Sequence, residues 1–161
     1  MIYIGESAFN GCSGFTGSII IPNWQATIGS SVFSGCTGLT GSVNINCKSI
    51  SAAAFVGSNF SGSLYINTSY VAFDTESYYN GIQNFTGALI LGPSVRWVEC
   101  LAFYNSNCTS LTIPANVTGI SWDAFKWADQ FANIYCYKLN PNDLSQTPLF
   151  QSLNKNTCIL L

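Results

Sequence analysis

The sequence predicts a mostly β solenoid, a right-handed superhelix with a parallel sheet on one face and short helical or 3₁₀ turns on the other. Two observations carry this prediction. An aliphatic residue is followed five positions later by an aromatic residue, and successive aromatics lie 22 to 25 residues apart. Between these units lies a second element in which apolar residues alternate. A period of this length is one coil of a solenoid, so 161 residues predict about six to seven coils.

The alternating element predicts the strands of the sheet. Its first and third residues should point inward, because successive side chains of a strand lie on opposite faces. All twelve inward positions are apolar: Ile19, Ile21, Val43, Ile45, Leu64, Ile66, Leu89, Leu91, Leu111, Ile113, Ile134 and Cys136. The intervening residues should form an outward row, which is the candidate ligand-facing surface: Ile20, Asn44, Tyr65, Ile90, Thr112 and Tyr135.

The aliphatic-to-aromatic element predicts a turn that carries one ring per coil into the interior. A small residue precedes most of these aromatics, which indicates close packing where the chain crosses the core. We expect the structural core to contain one aliphatic residue per strand and one ring per coil: Ile21, Ile45, Ile66, Leu91, Ile113, Phe9, Phe33, Phe55, Phe103 and Phe125. The single domain spans 1–161, with repeats near 4–27, 28–49, 50–72, 73–97, 98–119 and 120–137 and a terminal or capping coil over 138–161.

Glycine recurs just before the strands, at positions 17, 41, 62 and 87. A fixed glycine indicates either a turn with positive φ or close contact between coils. No GxGxxG or GxxxxGK spacing surrounds these residues, so they do not predict a phosphate-binding loop.

The charge balance excludes several classes of function. Charged residues make up 7% of the chain, and 5 Lys and Arg against 7 Asp and Glu give a net charge of −2. Binding of nucleic acid through counterion release needs clustered cations, which this chain lacks. It also contains 0 histidines, which excludes Ser-His-Asp catalysis and histidine-ligated zinc. No apolar run approaches the ~20 residues of a membrane helix. We expect no cofactor.

Of the 7 Asp and Glu residues, the candidates for acid–base work are Asp74, Glu76, Glu99, Asp123 and Asp129. A glycosidase needs two carboxyl groups about 5–10 Å apart across a cleft. Asp74 and Glu76 fall in an irregular coil, whereas Asp123 and Asp129 flank a turn. We therefore expect solvated surface residues, with no catalytic group and no metal site.

Seven cysteines occur, and none forms a CxxC pair. We expect buried free thiols that behave as small apolar side chains. Cys12 and Cys36 occupy equivalent positions in adjacent coils, so a disulfide between them is geometrically conceivable.

The tryptophans and several tyrosines allow two interpretations. They could form stacking platforms for sugars, or they could fill the solenoid core and cover coil ends, which we expect for most of them. Tyr65 and Tyr135 are exceptions, because the strand alternation directs them outward. Five Asn-x-Ser/Thr sequons occur, several of which are expected by chance in this composition: Asn59, Asn67, Asn84, Asn107 and Asn116.

The repeated element resembles the BspA-type leucine-rich-repeat proteins of bacterial and protozoan cell surfaces. The matching residues are Ala8, Phe9 and Cys12 followed by 15–22 and Ile28-Gly29, then Val32, Phe33 and Cys36 followed by 39–45, then Ala102 and Phe103 followed by 111–114. This resemblance implies a secreted or surface-anchored, non-enzymatic adhesion or interaction module with a protein ligand. The general L-x-x-L-x-L-x-x-N pattern of leucine-rich repeats is absent.

The function predicted from these observations is an extracellular interaction module whose ligand is a host matrix protein or another surface protein. Two alternatives remain, a carbohydrate-binding repeat domain and a purely structural stalk. We also expect Phe9 and the first strand to be partly exposed, with further repeats upstream.

Overall fold

A computed structural model describes residues 2–71, 82–137 and 158–160. Short strands follow one another along this part of the chain: β1 (Ile2–Ile4), β2 (Ile19–Ile21), β3 (Ala26–Ile28), β4 (Val43–Asn46), β5 (Ser49–Ile50), β6 (Leu64–Asn67), β7 (Tyr70–Val71), β8 (Ala88–Leu91), β9 (Trp97–Val98), β10 (Ser110–Ile113), β11 (Gly119–Ile120), β12 (Asn133–Cys136) and β13 (Cys158–Leu160). The 3₁₀ helices are Ala52–Phe55 and Ile82–Asn84. The fold is a parallel β-solenoid with very little helix, which confirms the predicted fold class.

The main sheet contains seven parallel strands in the order β2, β4, β6, β8, β10, β12, β13. Equivalent residues of successive coils pair directly, so that Ile21 lies beside Ile45 and Ile45 lies beside Ile66. The register is strongly specified, because a slip of one residue would turn each inward aliphatic side chain toward solvent.

Two further three-stranded parallel sheets run β1-β3-β5 and β7-β9-β11. Their strands contain the aliphatic anchors that precede the core aromatics, among them Ile28, Ile50 and Val98. The sequence did not predict these strands, since a segment of two or three residues is too short to show a period of two.

The turns that carry the core aromatics differ between coils. One coil uses the 3₁₀ helix Ala52–Phe55. Equivalent turns elsewhere contain a residue in the left-handed region, at Ser7 (φ 58°), Ser31 (φ 54°) and Leu101 (φ 56°). The predicted helical turn is therefore present in only some coils. The backbone ladder nevertheless continues through the turns, as in the bond of 2.8 Å from the Phe33 amide to the Ala54 carbonyl.

Stacked phenylalanines from successive coils form part of the core. The Phe33 and Phe55 ring centroids lie 5.9 Å apart with an interplanar angle of 8°. Phe103 and Phe125 stack at 5.2 Å and 17°. Almost all the residues that the sequence assigns to the core are buried: Ile21, Ile45, Ile66, Leu91, Ile113, Phe33, Phe55, Phe103 and Phe125. Phe9 is half-buried and packs against this cluster.

Several apolar side chains are exposed at the end of the solenoid formed by β1 and β2. Ile2 and Tyr3 are 48% and 62% exposed, and Phe15 is 44% exposed. The predicted partial exposure of Phe9 and of the first strand is confirmed. An open apolar concavity of about 440 Å³ lies here, lined by residues that include Ile4, Phe9, Ile19, Phe33 and Leu39. The expectation of further repeats upstream stays a prediction.

Some predicted features fall outside the described residues. These are the aromatic frame at 73–78 with Asp74 and Glu76, and the terminal coil over 138–161 apart from β13. The predicted repeat boundaries likewise stay predictions.

Candidate ligand-binding surface

The outward row of the main sheet is continuous across six strands. Direct register pairs join Ile20 to Asn44, Asn44 to Tyr65, and Tyr65 to Ile90. The same alignment continues through Thr112 to Tyr135. Neighbouring strands lie about 4.8 Å apart, so the row forms a straight line of closely spaced side chains. We call these six residues the sheet row.

Exposure varies along the sheet row. Ile20 is 69% exposed and Asn44 is also exposed. Tyr65, Ile90 and Tyr135 are half-buried, as is Thr112. The tyrosines are thus less exposed than the alternation alone implies, because side chains on adjacent strands shield one another. The row offers mixed apolar and hydroxyl contact surface on a rigid sheet.

The tryptophans do not fill the core, so that part of the expectation for them is wrong. Trp24, Trp122 and Trp127 are 69%, 62% and 65% exposed, and Trp97 is 41% exposed. Trp97 points outward because it precedes the buried Val98 within β9. Its ring occupies the space that a Cβ on the paired residue of β11 would need.

Three of the sequons recur at equivalent positions and have a structural role. Each asparagine side chain donates from Nδ2 to a backbone carbonyl of the preceding coil. Asn59 donates to Thr37 at 2.9 Å and Asn107 donates to Gln83 at 2.7 Å. Asn84 makes the same contact with Ser58. The 25- and 23-residue spacing of these asparagines would have revealed the ladder in the sequence.

The hydroxyl residue of each of these sequons forms a second ladder. Ser61 donates to the Thr40 carbonyl at 3.0 Å, and Thr86 donates to the Ser61 carbonyl at 2.7 Å. Thr109 continues the ladder by donating to the Thr86 carbonyl at 3.3 Å. The sequon pattern therefore reflects hydrogen bonds that join one coil to the next.

Several cysteines are buried against backbone carbonyls of adjacent segments. The Cys36 thiol donates to the Phe9 carbonyl at 3.0 Å, and the Cys47 thiol donates to the Ser49 carbonyl at 3.4 Å. Burial raises the pKa of the Cys36 and Cys108 thiols and raises the pKa of Cys47 to about 12. Free thiols occur at Cys12, Cys36, Cys47, Cys100, Cys108 and Cys136.

These shifts predict that alkaline pH destabilises the fold. An unfolded cysteine ionises near pH 9.0, whereas folded Cys47 stays protonated up to about pH 12. Unfolding between these values releases a proton, so the contribution of Cys47 is fully present below pH 9 and is lost as the pH rises toward 12. Urea denaturation of the wild type and of Cys47→Ala across this range measures the effect. The variant should lose less stability with rising pH, and parallel curves would contradict the prediction.

Two of the described carboxylates accept hydrogen bonds from residues close to them in the chain. The Ser121 hydroxyl donates to Asp123 at 3.0 Å, and the Gln130 amide donates to Asp129 at 2.8 Å. Within residues 2–71, 82–137 and 158–160, no three Cys, Asp or Glu side chains lie close enough together to hold a metal ion. No helix in this part of the chain is able to span a membrane.

Stacked coils of 22 to 25 residues with one parallel sheet along a flat face define a solenoid of the leucine-rich-repeat class. Comparison with protein families identifies the family. The region described as BspA type leucine rich repeat matches residues 2–132 in six copies, and the chain belongs to this family. Comparisons with curated proteins and with solved structures gave no match. The fold is typical of non-enzymatic interaction scaffolds.

Proposed function

We propose that this chain is a non-catalytic interaction module, secreted or held at a cell surface, that binds a protein ligand through the sheet row. The observation that carries the proposal is the continuous register of six uncharged side chains, four of them apolar or aromatic, along one face of the main sheet. Tyr65 pairs with Ile90, and Thr112 pairs with Tyr135, on strands whose other face is fixed in the core.

The composition of the sheet row favours a protein ligand. Tyrosines on a rigid surface offer large contact areas at little cost in side-chain entropy, and aromatic residues are enriched among the residues that dominate interface energies. The row contains no charged residue. Its affinity should therefore depend on burial of Tyr65 and Ile90 near the centre of the row and only weakly on ionic strength.

A double substitution at the centre of the sheet row tests this proposal. The variant Tyr65→Ala/Ile90→Ala should weaken binding to a protein ligand by about tenfold or more, because loss of two central contacts typically exceeds 1.4 kcal/mol. The measurement is surface plasmon resonance against a panel of purified extracellular-matrix proteins. Trp24→Ala is the matched control, since Trp24 is an exposed aromatic residue that lies outside the sheet row. It should bind as the wild type does.

Two outcomes would overturn the proposal. If the double variant and Trp24→Ala bind a ligand equally well, the sheet row is not the binding surface. If no panel protein binds the wild type, the structural-stalk alternative replaces the interaction module. Thermal unfolding of each variant excludes loss of the fold as the cause.

A further inference from the structure

One repeat position in the turns requires a left-handed backbone and is occupied in the last described turn by tryptophan. This position lies two residues after the core aromatic. Its occupants all have positive φ: Gly11 (73°), Gly35 (66°), Gly57 (69°), Asn105 (53°) and Trp127 (63°). Glycine adopts this conformation without cost and asparagine tolerates it, whereas a bulky side chain there is an outlier. Trp127 is therefore held in a strained conformation.

The strain does not serve the packing of the core. Phe125 and Ala124 fill the interior of this coil and are 4% and 0% exposed, while Trp127 lies outside with 65% of its surface exposed. Strained residues persist where the surrounding structure fixes them, and they cluster at sites of function. Both the strained backbone of Trp127 and the exposure of its large apolar ring are unfavourable for folding.

Neighbouring side chains complete an aromatic surface. The ring centroids of Tyr104 and Trp127 lie 5.0 Å apart with an interplanar angle of 50°. The Lys126 ammonium lies 5.3 Å from the Trp127 ring centroid. The two turns are held side by side by a hydrogen bond of 2.9 Å from the Asn105 amide to the Lys126 carbonyl. We call Tyr104, Lys126 and Trp127 the aromatic ridge.

Polar residues adjoin the aromatic ridge along the chain. Asn105 is exposed beside Tyr104, and Asp129 and Gln130 follow Trp127 within three residues and hydrogen-bond to each other at 2.8 Å. An exposed indole with amine, amide and carboxylate groups on neighbouring residues of the chain matches the two sides of a sugar, which has an apolar face of C–H groups and an edge of hydroxyls.

We propose that the aromatic ridge binds a pyranose ring of an oligosaccharide. The C–H face of the sugar stacks on Trp127 beside Tyr104. The Lys126 ammonium donates to sugar hydroxyls. The Asp129 carboxylate accepts from sugar hydroxyls, and the Asn105 and Gln130 side-chain amides donate to or accept from them. This site lies in the turns and is separate from the sheet row, so it adds a second ligand class to the proposed interaction module.

Replacement of the strained residue separates binding from folding. Glycine accepts the φ of position 127, so Trp127→Gly should unfold at the same temperature as the wild type or at a higher one. The probes are cellohexaose, chitohexaose, xylohexaose and sialyllactose, titrated while tryptophan fluorescence and heat of binding are followed. We expect at least one probe to bind, and Trp127→Gly to weaken that binding by about tenfold or more. Trp24→Ala is the control and should bind unchanged.

Three outcomes would overturn this inference. The first is that no sugar probe binds the wild type with a dissociation constant below about 10 mM. The second is that Trp127→Gly binds the sugar as tightly as the wild type does. The third is that no sugar binds, whereas Trp127→Gly loses binding to a protein. The sheet-row variant Tyr65→Ala/Ile90→Ala should retain oligosaccharide binding. If no sugar binds, the proposal that the sheet row binds a protein still stands. If no protein of the panel binds, the proposal that the aromatic ridge binds a sugar still stands.

Discussion

Replacing Phe55 by alanine is expected to lower the free energy of unfolding by about 3–5 kcal/mol. Its side chain is 1% exposed. Its ring lies 5.9 Å from that of Phe33, 5.6 Å from Phe60 and 6.2 Å from Phe85. Phe33 and Phe85 belong to the coils on either side, and Phe60 lies in the same coil as Phe55. Truncation of Phe55 therefore leaves a cavity that the stacked coils cannot close without breaking their backbone ladders. Urea denaturation followed by circular dichroism measures the loss.

Phe15→Ala provides the matched control for Phe55→Ala. Phe15 is 44% exposed, and its one described ring contact is with Phe9 at a centroid distance of 5.8 Å. Its removal should cost about 1 kcal/mol, since nearly half of its surface stays in contact with water in the folded protein. Equal losses in the two variants would show that the rings do not share one continuous core.

Gly62→Ala is expected to destabilise the fold by about 2–3 kcal/mol, the range of overpacked interiors. A Cβ at position 62 would lie 2.4 Å from the Ser42 hydroxyl, 2.8 Å from the Ser42 backbone nitrogen and 2.9 Å from the Gly41 carbonyl carbon. The backbone has little room to move, because the Gly62 amide donates to the Gly41 carbonyl at 3.1 Å. Thermal and urea unfolding both measure the effect.

Gly14→Ala separates the loss of space from the general effect of removing a glycine. A Cβ at position 14 meets no atom within 4 Å, and its backbone is outside the left-handed region. The variant should therefore stay within about 0.5 kcal/mol of the wild type. The close-contact explanation for Gly62 would be refuted if Gly14→Ala proved as destabilising as Gly62→Ala.

The sequence was sufficient to predict the solenoid and its main sheet. Each coil repeats the same inward pair, such as Val43 and Ile45, and only one register keeps every pair buried. The sequence left the role of the recurring glycines open. In the structure, Gly17 adopts a φ of 82° with open space around it. Gly62 has a different role, because a side chain at this position would collide with Gly41 and Ser42 of the preceding coil.

Other features depend on geometry that a single coil does not contain. The short flanking sheets form only when segments such as Ser49–Ile50 lie beside their equivalents in the next coil. The exposure of Trp97 and Trp127 follows from the direction of the chain at each turn, and residue type alone favoured burial. The alternation predicted which residues compose the sheet row. How far Tyr65 and Tyr135 protrude depends on their neighbours across strands.

The asparagine and hydroxyl ladders have a consequence for how the length of such a protein changes. Their donors reach back 22 residues from Asn59, 24 from Asn107 and 25 from Thr86. Duplication or deletion of one whole coil would reconnect every ladder across the junction. Gain or loss of a few residues within a ladder segment would instead offset the partners on both sides. Evolution can therefore lengthen or shorten this protein most readily in steps of one complete repeat.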